Sequence, residues 1–389
     1  MTSAQQAPST PSNIEIRRVE TSDDRKTFIR LANSIYADDP NFVAPLEFEL
    51  ADRMNAEKNP ALKSSPHQLW VAYKDNRPVG RISAVANKSH LDHYNDAAGH
   101  FGFLDAEDDP AIFDALIQTA SDWMRAQGLK KIQGPFNFSV NEEIGMLVDG
   151  FDTPPYVMMP HGRRYAPGHM ERLGFTKAKD MHALEYYPVR DFIPTKRMRF
   201  IEKALAKPNV SIRTLAPGDL IGDVRIIIDI FNDAWSDNWG FIPFTEEHAQ
   251  HMAAELKPII QNHNVVICYY DGEPAAFGLV LPNINRAIKG FNGKLFPFNW
   301  AKLLYRLKVK GIDQSRMPLM GVRKSLHKKP VGAAFAYKII EMVNSSNMDR
   351  GVTHSELSWI LEDNDSMLTM LTDMGCKIYK TYRIYEKGL

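Results

Sequence analysis

Residues 317–364 have the sequence MPLMGVRKSLHKKPVGAAFAYKIIEMVNSSNMDRGVTHSELSWILEDN. The pattern predicts five consecutive elements, namely a strand (317–322), a basic loop (323–329), a helix (331–347), a strand (353–360) and a helix (364–373). The first turn of a helix exposes backbone N–H groups and the positive end of the helix dipole, and both favour an anion. Because Lys328 and Lys329 lie just before such a turn, the stretch predicts a site for a phosphate group. The alternative interpretation is an ordinary helix start flanked by solvated lysines.

The composition of the 389-residue chain is that of a globular protein, with 44% hydrophobic and 24% charged residues. Its length favours two domains of ordinary size. Lys and Arg together number 47, as do Asp and Glu together, so the formal net charge is zero. A nucleic-acid partner is therefore not expected, because the long-range positive field of proteins that bind nucleic acid is missing.

Several features predict a cytoplasmic protein. The two cysteines, Cys268 and Cys376, lie in apolar-rich segments and are too few for a disulfide framework or a zinc site, so no metal is expected. Residues 1–13 are small, polar and proline-containing, which predicts a disordered tail rather than a signal peptide. No apolar stretch approaches the roughly 18 residues that a membrane-spanning helix needs.

The predicted elements follow the same order twice. A strand, a pair of helices, a hairpin, two strand–helix units and a last strand are predicted in residues 14–188 and again in residues 211–389. A basic helical linker, residues 189–210, separates these two halves. The mixed order predicts an α/β fold in which each half has a mixed central sheet flanked by helices.

The chain resembles the GNAT (acyl-CoA N-acyltransferase) superfamily, with two copies in tandem. Residues 321–323 and 332–334, followed by 364–376, match that superfamily's acyl-CoA loop and last helix. More narrowly, the chain is similar to a group of bacterial tandem-GNAT proteins that includes bacterial ceramide synthase-like proteins. The stretches that carry this match are Gly134–Ser139, Gly150–Pro155, Asn238–Phe241 and Trp359–Asn364. The resemblance implies an acyl-CoA donor and an amine acceptor.

Charge distinguishes the donor sites of the two halves. In the N-terminal half, the loop before the corresponding helix is Asp105-Ala106-Glu107-Asp108-Asp109, where four carboxylates disfavour a pyrophosphate. In the C-terminal half the same loop is basic, so this half is expected to bind the donor. The residues assigned to acyl-CoA by the resemblance are Val322, Arg323, His327, Lys328, Lys329, Val331, Gly332, Ala333, Ala334 and Asn364.

The basic loop departs from the superfamily's pattern at Pro330. The pattern has Arg or Gln, two residues, Gly, one residue, and then Gly or Ala. One register places His327, Pro330 and Gly332 at these positions, and proline removes one N–H from the phosphate cradle. A second register recovers Lys329 and Gly332 but shifts the spacing from the strand. A degenerate fold that is kept only as a binding module remains the alternative.

Acyl transfer to an amine needs a base and stabilisation of the developing oxyanion. Glu356, in the predicted strand 353–360, is the candidate base, and it shares a strand face with His354 and Ser358. The position at which the superfamily often carries a tyrosine acid is Leu371 in this chain. Tyr379 and Tyr382 are therefore the candidates for that role. The alternative for Glu356 is a solvated strand glutamate.

An aromatic segment and a polar cluster predict the acceptor site. The residues assigned to the acceptor are Trp235, Asn238, Trp239, Phe241 and Trp359, together with Asn141 and Glu142 from the N-terminal half. Aromatic rings beside a few polar groups suit an amphipathic acceptor, whereas the same rings could equally be core.

Residues 286–310 form a basic insertion in the C-terminal half. Seven Lys or Arg residues alternate there with phenylalanines, leucines and Trp300, and the stretch contains no acid. From Trp300 the spacing predicts a basic amphipathic helix, which is typical of a membrane-surface element. A helix packed on the domain with a solvated basic face, or a contact with RNA, are the alternatives.

The function predicted from these features is acyl-CoA-dependent N-acyl transfer, with a long-chain acyl group passing to a sphingoid base or similar lipid amine. The protein is then expected in the cytoplasm, peripherally on the inner membrane face. Two alternatives stay open. One is acylation of a small soluble amine, and the other is a non-catalytic GNAT pair that binds acyl-CoA or a partner protein.

Overall fold

The computed structural model describes residues 14–190, 192–216 and 218–389, so the predicted disordered tail, residues 1–13, lies outside the described part. The strands of the N-terminal half are β1 (Ile14–Arg18), β2 (His67–Lys74), β3 (Arg77–Val85), β4 (Ala98–Ala106), β5 (Lys131–Gly134), β6 (Met146–Asp149) and β7 (Thr176–Tyr186). Its helices are α1 (Ser22–Ile35), α2 (Glu47–Arg53), α3 (Lys88–Tyr94), α4 (Pro110–Ala126) and α5 (Ala166–Arg172).

The linker contains helix α6 (Thr195–Leu205). The strands of the C-terminal half are β8 (Val210–Thr214), β9 (Val265–Tyr270), β10 (Glu273–Pro282), β11 (Gln314–Val322), β12 (His354–Leu361) and β13 (Lys377–Gly388). Its helices are α7 (Leu220–Ala234), α8 (Glu246–Leu256), α9 (Ile284–Ile288), α10 (Asn299–Tyr305), α11 (Pro330–Asp349) and α12 (Asp365–Asp373).

The predicted α/β fold with a repeated element order is confirmed. In the N-terminal half, β1 to β4 are antiparallel and β4 pairs with β5 in parallel; β8 to β12 repeat this arrangement in the C-terminal half. Turn and cap residues explain many of the boundaries. Asp109 caps α4 ahead of Pro110, and Asp75 and Asn76 adopt positive φ in the tight turn between β2 and β3.

The two halves share one continuous sheet, which the sequence did not predict. The strand order is β1-β2-β3-β4-β5-β13-β7-β12-β11-β10-β9-β8, with β6 also pairing with β13. The last strand of each half is therefore exchanged: β13 lies beside β5, and β7 lies beside β12. Each exchanged strand covers the sheet edge that its partner half would otherwise leave open.

Helix α8 is shorter than predicted. The sequence pattern predicted a helix over residues 245–262, but α8 ends at Leu256. Pro258 explains the early end, because proline has no N–H to continue the helical hydrogen bonds and disfavours helical geometry in the residue before it.

The insertion, residues 286–310, also differs from the single amphipathic helix that was predicted. Helix α10 has only seven residues and continues into a short π-helical turn, Arg306–Lys310. Leu303 packs inward on a cluster formed by Val43 and Leu46 of the N-terminal half and by Ile288 and Phe291 of the insertion. The apolar stripe is thus divided, with one edge packed on the protein and the other exposed.

Among the helices of the described part of the chain, none combines the length and the apolar character that crossing a membrane requires.

Candidate active site

Strands β11 and β12 part in the middle of the sheet. Residues Gln314–Met317 of β11 pair in parallel with residues His354–Leu357 of β12, and the pairing of the two strands ends there. Beyond these residues β11 continues with β10, whereas β12 continues with β7. We call the opening between residues 318–322 and 358–361 the fork. An extended chain that carries amide groups suits such an opening, because strand edges bind peptide-like groups through their backbone.

Helix α11 begins next to the fork, directly after the basic loop. Its N-cap, Lys329, makes no side-chain capping hydrogen bond, so the first-turn N–H groups are not covered by a cap from this residue. Gly332 is needed for packing, because a Cβ at this position would lie 2.2 Å from the carbonyl oxygen of Leu326. The loop therefore folds tightly against the start of the helix.

The cations of the basic loop have different surroundings. Arg323 forms an ion pair with Asp229, and Lys324 Nζ lies 2.5 Å from Asp237 Oδ2. Lys328 and Lys329 are exposed, and in the described ranges neither has an ion-pair partner. These two lysines are thus the cations of the loop that are most available to an anion.

The remaining residues assigned to acyl-CoA surround this turn or cap the next helix. His327 Nε2 lies 2.7 Å from the carbonyl oxygen of Val322. Val331 and Ala334 are buried against the core, while Ala333 is exposed. Asn364 caps α12 by accepting a hydrogen bond from the N–H of Met367.

Glu356 lies in the last paired segment before the fork and is completely buried. Ser358 Oγ donates to Glu356 Oε1 at 2.6 Å, and Tyr379 Oη donates to Glu356 Oε2. Arg316, which is also buried, places Nε 3.3 Å from Glu356 Oε1 and donates to Ser358 Oγ at 2.9 Å. Glu356 is therefore not a solvated strand glutamate, since it is buried itself and its polar partners are the buried Arg316 and Ser358 and the partly buried Tyr379.

The tyrosines beside Glu356 keep their protons. Burial, followed by the charge of Glu356, raises the pKa of both Tyr379 and Tyr382. Tyr382 Oη and Trp359 Nε1 are buried, and neither has a hydrogen-bond partner in the described part of the protein. Because buried donors are rarely left without an acceptor, these two groups are candidates to donate to an oxygen of a ligand.

Lys380 is a second buried cation near Glu356. Its Nζ donates to the carbonyl oxygens of Gly150 and Thr153 at 2.6 and 2.9 Å. Burial lowers the pKa of Lys380 to about 8. Gly150, at φ +85°, is required here, since a Cβ would lie 2.1 Å from the carbonyl oxygen of Tyr379. The stretch 150–155 thus holds the strand that carries Tyr379 and Tyr382.

Comparison with known proteins identifies the family. No protein-family model matches the chain. Protein YghO of Escherichia coli (strain K12) is 41% identical over 375 residues, covering 96% of this chain and 95% of the relative. The bacterial ceramide synthase of Caulobacter vibrioides (strain NA1000 / CB15N) is 40% identical over 388 residues, covering 98% and 99%.

Solved structures agree on the fold. A tandem GNAT protein from the clavulanic acid biosynthesis pathway superposes with a TM-score of 0.57 at 12% identity, covering 97% of this chain and 98% of that one. A GCN5-related N-acetyltransferase from Sphaerobacter thermophilus gives 0.54 at 13% identity, covering 96% and 95%. The chain belongs to the tandem GNAT family. It is an acyltransferase, in a group with the bacterial ceramide synthase.

The N-terminal half of this tandem GNAT protein has no open counterpart of the fork. Its loop after β5 fills the corresponding place: Phe136 N–H donates to the carbonyl oxygen of Phe101 at 2.7 Å, and Asn137 Oδ1 accepts from the N–H of Phe103 at 2.8 Å. The approach is close, because a Cβ at Gly102 would lie 2.0 Å from the carbonyl oxygen of Phe136. The protein's own backbone therefore occupies this strand edge.

The acidic loop of the N-terminal half is neutralised by its own neighbours. Asp105 accepts from Arg81, Asp108 lies 2.8 Å from His169, and Asp109 lies 2.8 Å from Lys74. These ion pairs stabilise the N-terminal half. The sequence predicted only the other effect of the same carboxylates, which is to disfavour a phosphate.

The residues assigned to the acceptor are brought only partly together. Trp239, Trp359 and Tyr379 pack against the core cluster that contains Tyr382. Trp235 instead donates from Nε1 to the carbonyl oxygen of Met320 in the fork, at 3.0 Å. Phe241 is buried among the core residues of the C-terminal half. Asn238 contributes a backbone turn, since its carbonyl oxygen accepts from Phe241 N–H at 3.2 Å.

The two polar residues of the N-terminal half lie where the halves meet. Asn141 donates to the carbonyl oxygen of Ile242 at 3.3 Å, and Glu142 accepts from Asn59 at 3.1 Å. Burial raises the pKa of Glu142 to about 7, although nearby Arg53 opposes the shift. Asn141 connects the two halves, the hydrogen bond of Glu142 stays within the N-terminal half, and neither residue joins the group around Glu356.

The sequence analysis missed Arg316, Ser358 and Lys380 as members of the site. Arg316 and Lys380 are cations within otherwise apolar strand faces, and such residues are buried only when a partner is present. That signal was available from the sequence. The pairing of Arg316 with Glu356 was not, because it depends on the register of β11 and β12.

Proposed function

We propose that this enzyme transfers a long-chain acyl group from acyl-CoA to the amine of a sphingoid base or a similar lipid amine. The observation that carries the proposal is the buried Glu356–Tyr379 hydrogen bond at the fork, next to the aromatic cluster of Trp239 and Trp359. The bacterial ceramide synthase, aligned over nearly all of both chains, supports a lipid acceptor.

We assign donor binding to the C-terminal half, residues 211–389. The first turn of α11 and the ammonium groups of Lys328 and Lys329 suit the phosphates of coenzyme A. The fork beside them suits an extended chain with two amide groups, because strand edges offer alternating donors and acceptors. The N-terminal half, residues 14–188, is assigned a supporting role, since its own loop fills the matching strand edge.

Glu356 and Tyr379 act together as the base in the proposed mechanism. The amine nitrogen attacks the thioester carbon and a C–N bond forms. The amine proton passes to Tyr379 Oη while Tyr379 gives its own proton to Glu356, with which it is already hydrogen-bonded. The C–S bond then breaks, and the thiolate of coenzyme A leaves and takes up a proton. A relay through Tyr379 is required, because Glu356 itself is completely buried.

Tyr382 and Trp359 are assigned to the carbonyl oxygen of the thioester. Both carry buried donors that have no acceptor in the described residues. Donors already in place stabilise the negative charge that develops on this oxygen when the amine attacks. Arg316 is assigned to orient Glu356 through their ion pair, and Lys380 to position the strand that bears both tyrosines.

We place the reaction on the cytoplasmic side of a membrane, where long-chain amines are found. The side chains that support this placement are exposed in the insertion, most of all Phe296, Phe298 and Val309.

The experiment that tests the proposed function measures thiol release and amide formation with acyl-CoA donors of increasing length. Each donor is offered to a sphingoid base in detergent micelles and to soluble amines such as polyamines and amino acids. We expect release with long donors and the sphingoid base. If thiol is released only with soluble amines, the acceptor is a small soluble amine and not a lipid amine. If no combination of donor and acceptor gives thiol release, the result favours a non-catalytic binding protein.

A further inference from the structure

A basic surface pocket of about 370 Å³ lies beside the insertion, outside the site described above. Its charged lining residues are Arg286, Lys289, Arg306, Lys310, Arg350 and the single acid Asp313. Five cations and one carboxylate leave a formal charge of about +4, and five Lys or Arg side chains around one opening strongly favour an anion.

Part of the pocket is held in place by contacts within the protein. Arg306 donates to the carbonyl oxygens of Ala287 and Lys289 at 2.6 and 3.0 Å, and its guanidinium lies 5.1 Å from the ring centre of Phe291. Arg286 pairs with both carboxylate oxygens of Asp313, at 3.2 and 3.0 Å. These contacts fix two guanidinium groups of the wall.

Two further cations, Lys310 and Arg350, are at the rim. Lys310 and Arg350 are both exposed, and in the described part of the chain neither forms an ion pair. They come from opposite sides of the opening, one from the insertion and the other from the end of α11. Their side chains are thus available to an anion that enters the pocket.

The same segment exposes large apolar side chains. Phe296, Phe298 and Val309 are 73%, 75% and 72% exposed, and Trp300, Leu304 and Tyr305 are about half exposed. Soluble proteins rarely leave so many large apolar groups together in water. Phenylalanine and tryptophan next to lysine and arginine are the composition of a surface that enters the interface of a lipid bilayer.

We propose that the insertion docks on a bilayer that contains anionic phospholipid, with a headgroup phosphate in the basic pocket and the apolar side chains among the acyl chains. This inference rests on the membrane placement proposed above and names the lipid class and the residues. A soluble phosphate compound would account for the pocket but not for six exposed apolar side chains. The same argument disfavours RNA, and the zero net charge of the chain adds to it.

Sedimentation with vesicles tests the docking. The vesicles contain phosphatidylcholine alone or phosphatidylcholine mixed with phosphatidylglycerol, and we expect the protein to sediment with the mixed vesicles. Replacing both rim cations, Lys310→Ala with Arg350→Ala, should weaken the partition by roughly tenfold or more, because each cation near the surface contributes about 1 kcal/mol. The control, Lys26→Ala with Lys130→Ala, removes the same charge from exposed positions in the N-terminal half.

A second variant separates lipid from other phosphate compounds. Phe296→Ser with Phe298→Ser should weaken sedimentation while leaving weak binding of inorganic phosphate unchanged. Equal sedimentation with both vesicle types, wild-type sedimentation of the rim variant, or unimpaired sedimentation of the phenylalanine variant would overturn the proposal. Binding of single-stranded RNA in preference to the mixed vesicles would overturn it as well.

Activity in detergent micelles separates this inference from the proposed function. Both variants should release thiol from acyl-CoA at the wild-type rate there, because their substitutions lie outside the assigned active site. If sedimentation fails while micellar activity remains, only the docking is wrong. If micellar activity is absent in the wild type, the proposed function is wrong, whatever the vesicles show.

Discussion

Glu356 is the residue on which the proposed chemistry depends, and three strands supply its surroundings. Arg316 comes from β11, Ser358 from β12 itself and Tyr379 from β13. Breaking a buried ion pair by removing one partner costs about 3–5 kcal/mol. A conservative replacement is therefore needed to separate the catalytic role of the carboxylate from its contribution to folding.

Replacing Glu356 by glutamine should lower kcat by roughly 10²–10⁴-fold, the usual contribution of a general base. The amide oxygen can still accept a hydrogen bond from Ser358, but the amide NH2 then faces Tyr379 and cannot accept its proton. The KM for acyl-CoA should change little, because the phosphates are assigned to the basic loop and not to the surroundings of Glu356. Steady-state thiol release measures both constants.

The matched control is Glu386→Gln, a strand glutamate on β13 that contacts Gln133. It should keep the wild-type kcat. A Glu356→Gln enzyme with normal kcat and an unchanged melting temperature would remove Glu356 from the mechanism.

At the residue scale, sequence reasoning named the groups that are now proposed to react and did not assign Arg316 and Lys380, which are proposed to orient them. Glu356, Tyr379 and Tyr382 stand out because a carboxylate and hydroxyl groups have an obvious use in acyl transfer. Arg316 and Lys380 act through contacts that depend on strand register and on a distant loop, and no spacing in the chain reveals these.

At the level of elements, the basic loop and the start of α11 form the assigned phosphate site. Replacing Lys328 and Lys329 by alanine should raise the KM for acyl-CoA by roughly a hundredfold or more with little change in kcat, because two charge-assisted contacts of at least about 1.5 kcal/mol each are lost. The effect should disappear with an acyl-pantetheine donor, which lacks the pyrophosphate.

A control for this variant is Lys338→Ala, further along the same helix and paired with Glu341. It should leave the KM unchanged for both donors. An equal rise in KM for acyl-CoA and acyl-pantetheine in the loop variant would show that the lysines do not contact the pyrophosphate.

Replacing Gly332 tests how closely the basic loop packs on the first turn of α11. A Gly332→Ala side chain would meet the Leu326 carbonyl oxygen at 2.2 Å, so the loop must move away from the helix. We expect a loss of roughly 1–3 kcal/mol in the free energy of unfolding, as for other overpacked positions, together with a raised KM for acyl-CoA. Urea unfolding followed by circular dichroism measures the first effect.

Gly168→Ala is the matched substitution, since Gly168 is also helical and its added Cβ would have no neighbour within 4 Å. It should be neutral or slightly stabilising, because alanine favours the helix over glycine. If the two variants have the same free energy of unfolding, the loop adjusts to the added methyl group at position 332 without a loss of stability.

Sequence reasoning placed nearly every element of the two halves but could not show how the halves combine. Hydrophobic period, caps and turn residues are local, so they predict helices and strands one at a time. The exchange of β7 and β13 depends on pairing between residues nearly 200 positions apart, for example Glu185 with Lys377. The plugged strand edge at Gly102 escaped prediction for the same reason.

For the whole molecule, Glu142 makes the stability depend on pH where the halves meet. Its pKa of about 7 in the folded state lies above the usual value, so protonation stabilises the folded form. This contribution is complete below about pH 4.5 and is lost as the pH rises through 7. Glu142→Gln should therefore raise the free energy of unfolding by roughly 1–3 kcal/mol at pH 8 and have little effect at pH 5.

Glu143→Gln should show the opposite sign. Burial raises the pKa of Glu143, but the charge and hydrogen bond of Arg53 outweigh it, so the pKa lies below its usual value. Removing this carboxylate should destabilise the protein at pH 8, and the loss should shrink as the pH falls below 4.5. Thermal unfolding at several pH values measures both variants, and parallel curves for the two would contradict the assigned pKa directions.

The exchanged strand β13 also has a consequence for synthesis in the cell. Strands β5 and β7, which flank β13 in the sheet, leave the ribosome long before β13, which follows about 200 residues after β7. At about 5–20 residues per second, the nascent N-terminal half waits roughly 10–40 s for the strand that completes its sheet. During that time two unpaired edges are open to wrong partners, so production of this enzyme should depend on chaperones that hold the unfinished chain until translation ends.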